Sequence, residues 1–334
     1  MEIGTMYVSV QGSRLTKVGE RLVIRNKNGK ILEDVPLFRL KQVVCFGTVE
    51  ITNAAIIQLL RREIDVVYMT VGGRFKGRLS NFNESSVKCR MKQYQMALDE
   101  GFRLKVAKAI LRGKLLNSKY WVMKRNRPAS EVVSGKVWQI TSCIDMIESA
   151  ADTGALMGIE GTAAKAYFQG MRYVCKQDLG FTDRNRRPPK DPINAMLSFG
   201  YTLLYNMVLA AIEQAGLDPM LSNLHAIQDR RASLVLDIME EFRSPVVDTV
   251  VMRMVNLMRV QPKNFYNAGT KGTRMEPQTI ALLVTEIQSR LRAKLPDPVT
   301  RKMYKIKDLF LKQAYQYKAL ILGERDDYLP VLVR

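Results

Sequence analysis

Histidine is almost absent from this chain, one residue in 334, and its four cysteines are scattered with no pair at C-x-x-C spacing. The scattered cysteines argue against disulfide and zinc roles, which call for paired or clustered thiols. Cys45, Cys89, Cys143 and Cys175 each lie in or beside an apolar stretch, and reduced core cysteines of a cytosolic protein are expected. No apolar run reaches the roughly 20 residues that cross hydrocarbon. The longest, about Tyr201 to Ile212, is broken by Asn206, and the N-terminal MEIGTMYVSVQG has no charged and apolar leader pattern, so no membrane partner is expected. Gly269 and Gly272 do not follow a strand and open a helix, which removes a nucleotide-cradling loop. Acid is short as well: 32 Asp and Glu stand against 52 Lys and Arg, a formal net charge of +20 and an isoelectric point near 9.8. A phosphate backbone or another anionic surface is the partner such a balance fits.

What is present is a folded, two-part chain. The hydrophobic content of 47% supports a real core, and the length favours two domains. From Met6 to about Ser80 the pattern is short and β-rich: YVSV, SRLTKV, RLVIRN, ILEDVPL, VVCFGTVEI, DVVYMT and RFKGRL. Asn28-Gly29 predicts a type I′ hairpin turn, since both central positions need positive φ. One helix, about Thr52 to Arg62, interrupts the strands, with Thr52 or Asn53 as its cap and Ala55, Ile56, Leu59 and Leu60 as its buried stripe. Beyond Asn83 the composition turns helical, with helices expected at about 88–120, 136–150, 155–177, 192–215, 230–243, 246–258, 276–293 and 300–322. The fold class is therefore α+β: a β-sandwich-like domain with one short helix over residues 1–85, then a larger all-α domain over 86–334.

The chemistry-bearing residues sit in the second part. Asp237, Glu240 and Glu241 fall at i, i+3 and i+4, within about 100° of helical arc, opposite Leu234, Val235, Ile238, Met239 and Phe242. A solvated acidic face accounts for that spacing. So does a divalent-metal site, because carboxylates that face a polyanion repel it unless a cation stands between. The lone His225, in the loop after Asp218-Pro219, is close in sequence to these carboxylates. Imidazole with carboxylates suits Mn²⁺ and permits Mg²⁺. Glu160 stands at the start of a helix whose next turns are small residues, where either the helix dipole or a closely approaching backbone explains it.

Basic residues cluster twice. Between Gly101 and Arg127 there is no acid, and a helix there places Lys105, Lys108, Arg112 and Lys119 within about 60° of arc. That face is expected to track phosphates, although Gly113 weakens the case for one continuous helix. The loop TDRNRRPPKDP, with Arg184, Arg186, Arg187 and Lys190, reads as mobile and extended, either a plain connector or a strand lying along DNA. Tyr167, Phe168, Tyr201 and Tyr205 read mainly as core aromatics, with base stacking as the alternative.

Taken together, EGTAAKAYF, RNRRPPKDPINAMLSFGYTLLY and LHAIQDRRASLVLDIMEEFRSPVVD, in this order, resemble the CRISPR-associated integrase of spacer acquisition, the first Cas protein family. VVCFGTVEITNAAIIQLLRREIDVVYMT followed by GRFKGRL is similar to that family's β-domain. The resemblance implies an endonuclease and integrase of the prokaryotic cytoplasm that inserts DNA fragments into a repeat array by transesterification from a 3′-OH. It implies Glu160, His225 and Glu240 as ligands of Mg²⁺ or Mn²⁺, with Asp237 as an auxiliary carboxylate. It also implies a homodimer formed through the β-domain, and a heterohexamer with a small ferredoxin-like second Cas protein on double-stranded DNA. Two other readings share the residues: a metal-dependent nuclease for branched DNA in repair, and a non-catalytic DNA-binding scaffold.

Overall fold

The computed structural model describes residues 4–71, 75–80 and 87–333. The chain divides into two compact units, Met1–Asn83 and Glu84–Arg334. The boundary expected near residue 85 lies outside the described residues.

The first unit holds two four-stranded sheets. One runs in the order β1 (Thr5–Val8), β5 (Gln42–Phe46), β7 (Asp65–Met69), β8 (Phe75–Leu79). The other runs β4 (Ile31–Pro36), β3 (Arg21–Arg25), β2 (Ser13–Val18), β6 (Val49–Ile51). Met6, Val8, Val43, Cys45 and Val66 of the first sheet share one buried cluster with Leu15, Leu22, Ile24 and Val35 of the second. Helix α1 (Asn53–Arg61) adds Ala55 and Leu59 to it, and the Thr52 hydroxyl accepts from Ala55 N, as an N-cap should. The run VVCFGTVEI, read as one strand, is two. Gly47 adopts φ +75°, and a Cβ there would stand 2.1 Å from Gln11 Oε1, so the chain turns at this glycine and passes from one sheet to the other. The Asn28-Gly29 turn also differs from expectation: only Gly29 has positive φ, and the Asn26 side chain accepts from the N–H of Asn28 and of Lys30. A side chain that caps the turn from within removes the need for two left-handed residues.

The second unit is helical, with two small ribbons that periodicity did not reveal. Its helices are α2 (Val87–Leu98), α3 (Glu100–Arg125), α4 (Glu131–Asp145), α5 (Thr153–Tyr173), α6 (Pro192–Gln214), α7 (Ser233–Phe242), α8 (Thr249–Asn256), α9 (Pro277–Leu291) and α10 (Ile306–Ile321). The ribbons pair β9 (Phe265–Asn267) with β10 (Thr273–Met275), and β11 (Lys294–Pro296) with β12 (Met303–Lys305). The helix expected at 88–120 is broken at Asp99, whose carboxylate accepts from Phe102 N and starts α3 anew. Gly113 does not interrupt α3. It makes room for Pro330, whose Cβ would lie 2.3 Å from a Cβ at residue 113.

Helix α6, at 23 residues, is long and apolar enough by composition to span a membrane, which the shorter run counted from sequence did not show. It is the central helix of the unit, packed against α7 and α10, and 61% of its most apolar window is buried. Between α7 and α8 the chain continues through a π-helical turn, Arg243–Asp248. Pro245 has no N–H for the carbonyl four residues back, and Asn117 Nδ2 donates to that carbonyl, Glu241 O, at 2.9 Å. Cys45, Cys89 and Cys143 are buried and Cys175 is partly so.

Candidate active site

An acidic face turned to solvent was one of the two readings of helix α7, beside a divalent-metal site. The helix has no such face: Asp237, Glu240 and Glu241 are all buried, none more than 2% exposed. Three carboxylates taken from water demand partners, and each has found a different set.

Asp237 is wrapped by the loop that precedes it. Its carboxylate accepts the backbone N–H groups of Asn223 (2.6 Å), Leu224 (3.0 Å) and His225 (3.1 Å), and the His225 ring Nδ1 lies 2.7 Å away. With Nδ1 donating to Asp237, the opposite ring nitrogen, Nε2, carries the lone pair and faces Glu240 Oε1 at 3.8 Å. Asp237 therefore stands behind the imidazole and fixes its orientation, rather than beside Glu240 as a further ligand.

Glu240 lies among cations. Arg243 reaches Oε1 at 3.0 Å and Lys114 Nζ reaches Oε2 at 2.8 Å. Burial alone would raise its pKa, but Arg243, Lys114 and His225 together hold it at about 2. Lys114 also binds Glu160 Oε1 at 2.5 Å, so one ammonium bridges a carboxylate from α5 and one from α7. Glu160 is the eighth residue of α5, not in its first turn, because Asp152 caps the helix well upstream. The helix dipole no longer explains it. Gly158 and Gly161 flank it with open space where their Cβ atoms would be.

Glu241, one residue from Glu240, points to the other side of α7. It accepts from Gln313 Nε2 at 3.0 Å, from the Tyr328 hydroxyl at 2.6 Å, and from Val331 N. No cation is among these partners, and burial pushes its carboxyl up to about 7. The same C-terminal segment is pinned by Asn117, which donates to Val331 O and accepts from Val333 N.

A cavity opens beside Glu160 and Glu240, lined also by Lys114, Arg184, Arg186, Arg243, Tyr167, Phe168, Tyr201 and Asp248. Tyr167 and Tyr201 both donate to Asp248 at 2.6 Å, and burial lifts that carboxyl to about 6 despite the two hydroxyls. Among the described residues, the Nε atoms of Arg184 and Arg243 are buried without a hydrogen-bond partner. Unsatisfied guanidinium donors in a cavity wall suit an anion.

The other sequence candidates are placed as follows. Lys105 reaches Asp326 O and Asp327, while Lys108 and Arg112 reach Glu148, so these three have protein partners. Lys114, nine positions after Lys105 and about 180° around the helix, was not singled out from the sequence. Its partners lie 46 positions along the chain or further, and no local pattern marks it. Arg243 was also missed, although its i,i+3 spacing from Glu240 was a usable signal. The loop 182–192, read as mobile and extended, is tied down. Asn194 accepts from Arg184 and Asn185, and Pro189 O accepts from Thr273 N. Arg186, Arg187 and Lys190 remain exposed on it, while Tyr205 stands outside the cavity.

As the side chains stand, no three of the described His, Cys, Asp and Glu residues close on one point at coordination distance, and Lys114 lies between two of the carboxylates. The donor set nonetheless fits a hard divalent ion: two carboxylates joined by one ammonium, and one imidazole nitrogen with its far side held by Asp237.

Residues 6–289 match the sequence profile of the family described as CRISPR associated protein Cas1. The chain is 30% identical over 340 aligned positions to a CRISPR-associated endonuclease Cas1 of Chlorobaculum tepidum, covering 99% of each chain. In fold it is similar to a casposase bound to integration product, with TM-score 0.88, 20% identity, and coverage of 98% of this chain and 93% of that one. It is also similar in fold to a chain of a Cas6-RT-Cas1–Cas2 complex, with TM-score 0.81, 23% identity, and coverage of 99% and 36%. With the profile spanning most of its length and a relative matched nearly end to end, this chain belongs to the Cas1 family of CRISPR-associated proteins.

Proposed function

We propose that the protein joins and cuts DNA at phosphodiesters with a divalent cation held by Glu160, His225 and Glu240. One observation carries the reading: three side chains from α5, a loop and α7 meet through Lys114 and the 3.8 Å approach of His225 to Glu240, at the wall of a cation-lined cavity. Mg²⁺ or Mn²⁺ there supplies Lewis-acid polarisation of the scissile phosphate. Asp237 keeps His225 Nε2 turned toward Glu240 and blocks ring rotation. The positive side chains of Arg184, Arg186 and Arg243 that line the cavity attract phosphate oxygens and gain strength as charge builds on them. In joining, the 3′-hydroxyl of an incoming strand gives up its proton to solvent as its oxygen bonds to phosphorus, and the cut strand leaves with its own 3′-oxygen, which takes up a proton. One phosphodiester replaces another, so no external energy source is needed. With water as attacker the same site hydrolyses, which is the endonuclease mode.

Double-stranded DNA is the substrate that the net charge of +20 and the exposed Arg186, Arg187 and Lys190 favour. The kinship to a casposase bound to integration product supports a joining reaction. The kinship to a chain in a complex with Cas2 supports a second Cas protein as partner. Dimerisation through the β-rich unit, a heterohexamer, and a division of labour between residues 1–85 and 86–334 complete the proposal. The test offers duplex fragments with free 3′-OH ends and a plasmid bearing a repeat array, with Mn²⁺ or Mg²⁺. Glu160→Ala and His225→Ala are expected to abolish joined product while retaining duplex binding. Joining by either purified variant removes that residue from the site, and joining in excess chelator removes the metal.

A further inference from the structure

We infer that Lys114 is an internal competitor for the divalent cation, one that makes tight metal binding conditional on a DNA phosphate. The inference rests on the metal reading of the site and adds to it a coupling between its two ligands.

The argument begins with the place of the ammonium. Lys114 Nζ stands 2.5 Å from Glu160 Oε1 and 2.8 Å from Glu240 Oε2, with side-chain exposures of 14%, 19% and 2% for the three residues. A cation bound by both carboxylates would take the same position. Arg243 already sits 3.0 Å from the other Glu240 oxygen, so the two carboxylates face two positive side chains and their formal charges cancel. A divalent ion entering this set brings two further positive charges into a poorly solvated wall whose other lining carboxylate, Asp248, is already taken up by the Tyr167 and Tyr201 hydroxyls. Positive charges a few ångströms apart repel there by several times what they would in water. The ion must displace Lys114 from one or both carboxylates, and the freed ammonium then lacks a counter-ion.

A phosphodiester supplies what is missing. The cavity beside the two carboxylates is lined by Lys114, Arg184, Arg186 and Arg243. A phosphate in it brings negative charge to the metal and accepts the displaced Lys114. Thermodynamic reciprocity makes the two effects equal: DNA tightens the metal by the factor by which the metal tightens DNA. The consequence is a site that stays weakly loaded while DNA is absent, which restrains cleavage by water before substrate is engaged.

The measurement is Mn²⁺ affinity, read from the loss of the free-ion magnetic resonance signal, with and without a duplex. Lys114→Met removes the charge. Lys114→Gln removes it too but keeps a donor toward Glu160, and serves if the methionine variant fails to fold. Lys114→Arg keeps the charge. The neutral variants are expected to bind Mn²⁺ about tenfold tighter than wild type without DNA, and to lose most of the enhancement that the duplex gives wild type. In chelator their melting temperature should fall, since the buried Glu240 and the partly buried Glu160 lose a counter-ion, and added Mn²⁺ should restore it. Lys114→Arg should follow wild type. Unchanged or weaker Mn²⁺ affinity in both neutral variants, with wild-type binding measurable, overturns the role of Lys114 and leaves the metal site standing. Absence of Mn²⁺ binding in every protein, with or without duplex, overturns the metal site and this inference with it.

Discussion

The two sides of helix α7 carry adjacent glutamates with opposite fates. Glu240 faces Arg243, Lys114 and His225 and is held at about 2; Glu241 faces Gln313, Tyr328 and Val331 and is pushed up to about 7. Burial is complete on both sides, so depth does not separate them. The difference lies in the partners: cations offset the cost of a buried carboxylate, whereas neutral donors offset only part of it. One side of the helix keeps a charged carboxylate among cations, and the other fastens the C-terminal segment.

The largest expected effect splits the pair outright. Glu240→Gln should lower strand transfer by about 100-fold or more, read from joined product in a gel. Glu241→Ala should leave the rate per folded molecule close to wild type but lower stability in urea, by about 1–3 kcal/mol for each donor left without a partner. The reverse pattern, with activity lost in the alanine variant and stability lost in the glutamine one, would break the comparison.

Next comes pH, where the two residues act with opposite sign. For Glu241 the folded pKa is above the unfolded value of 4.5, so its contribution is fullest below 4.5 and falls as pH rises through about 7. The difference amounts to roughly 3 kcal/mol. For Glu240 the folded pKa is below 4.5, so its contribution is present above that pH and is lost as pH falls toward about 2. Urea unfolding across this range should show Glu241→Gln flattening the decline between 4.5 and 7 while leaving the acid limb in place.

A smaller effect sharpens the role of the C-terminal segment. In an open helix Gly→Ala stabilises by roughly 1 kcal/mol. Gly113→Ala should instead destabilise by about 1–3 kcal/mol, because its Cβ would meet Pro330 at 2.3 Å. A gain in urea midpoint would show that the segment does not bear on α3. Smallest is the contrast between cations with and without protein partners. Arg186→Ala should reduce the log–log salt slope of duplex binding by about 1. Lys108→Ala, whose ammonium is bonded to Glu148 O, should hardly change it. Equal losses in the two would restore the phosphate-tracking face read from sequence.

Much of the fold was legible because periodicity and caps are local. Thr52, Asp99 and Asp152 start their helices by accepting N–H groups three residues on, although only Thr52 was singled out beforehand. Features set by distant contacts were not legible. The sheet change at Gly47 depends on Gln11 and Val71, and the pinning of loop 182–192 depends on Asn194 and Thr273.

Sequence by itself determined that α7 is a helix with three carboxylates on one arc, that its single imidazole lies just upstream, and that the protein as a whole is strongly positive. These follow from residue order and backbone periodicity alone. Only the tertiary structure decided what each carboxylate became: Asp237 the holder of His225, Glu240 the partner of Lys114 and Arg243, and Glu241 the anchor of the chain's end. A buried charge is defined by whatever surrounds it, and those surroundings come from α3, α5, α10 and the C-terminal segment, brought together only by folding.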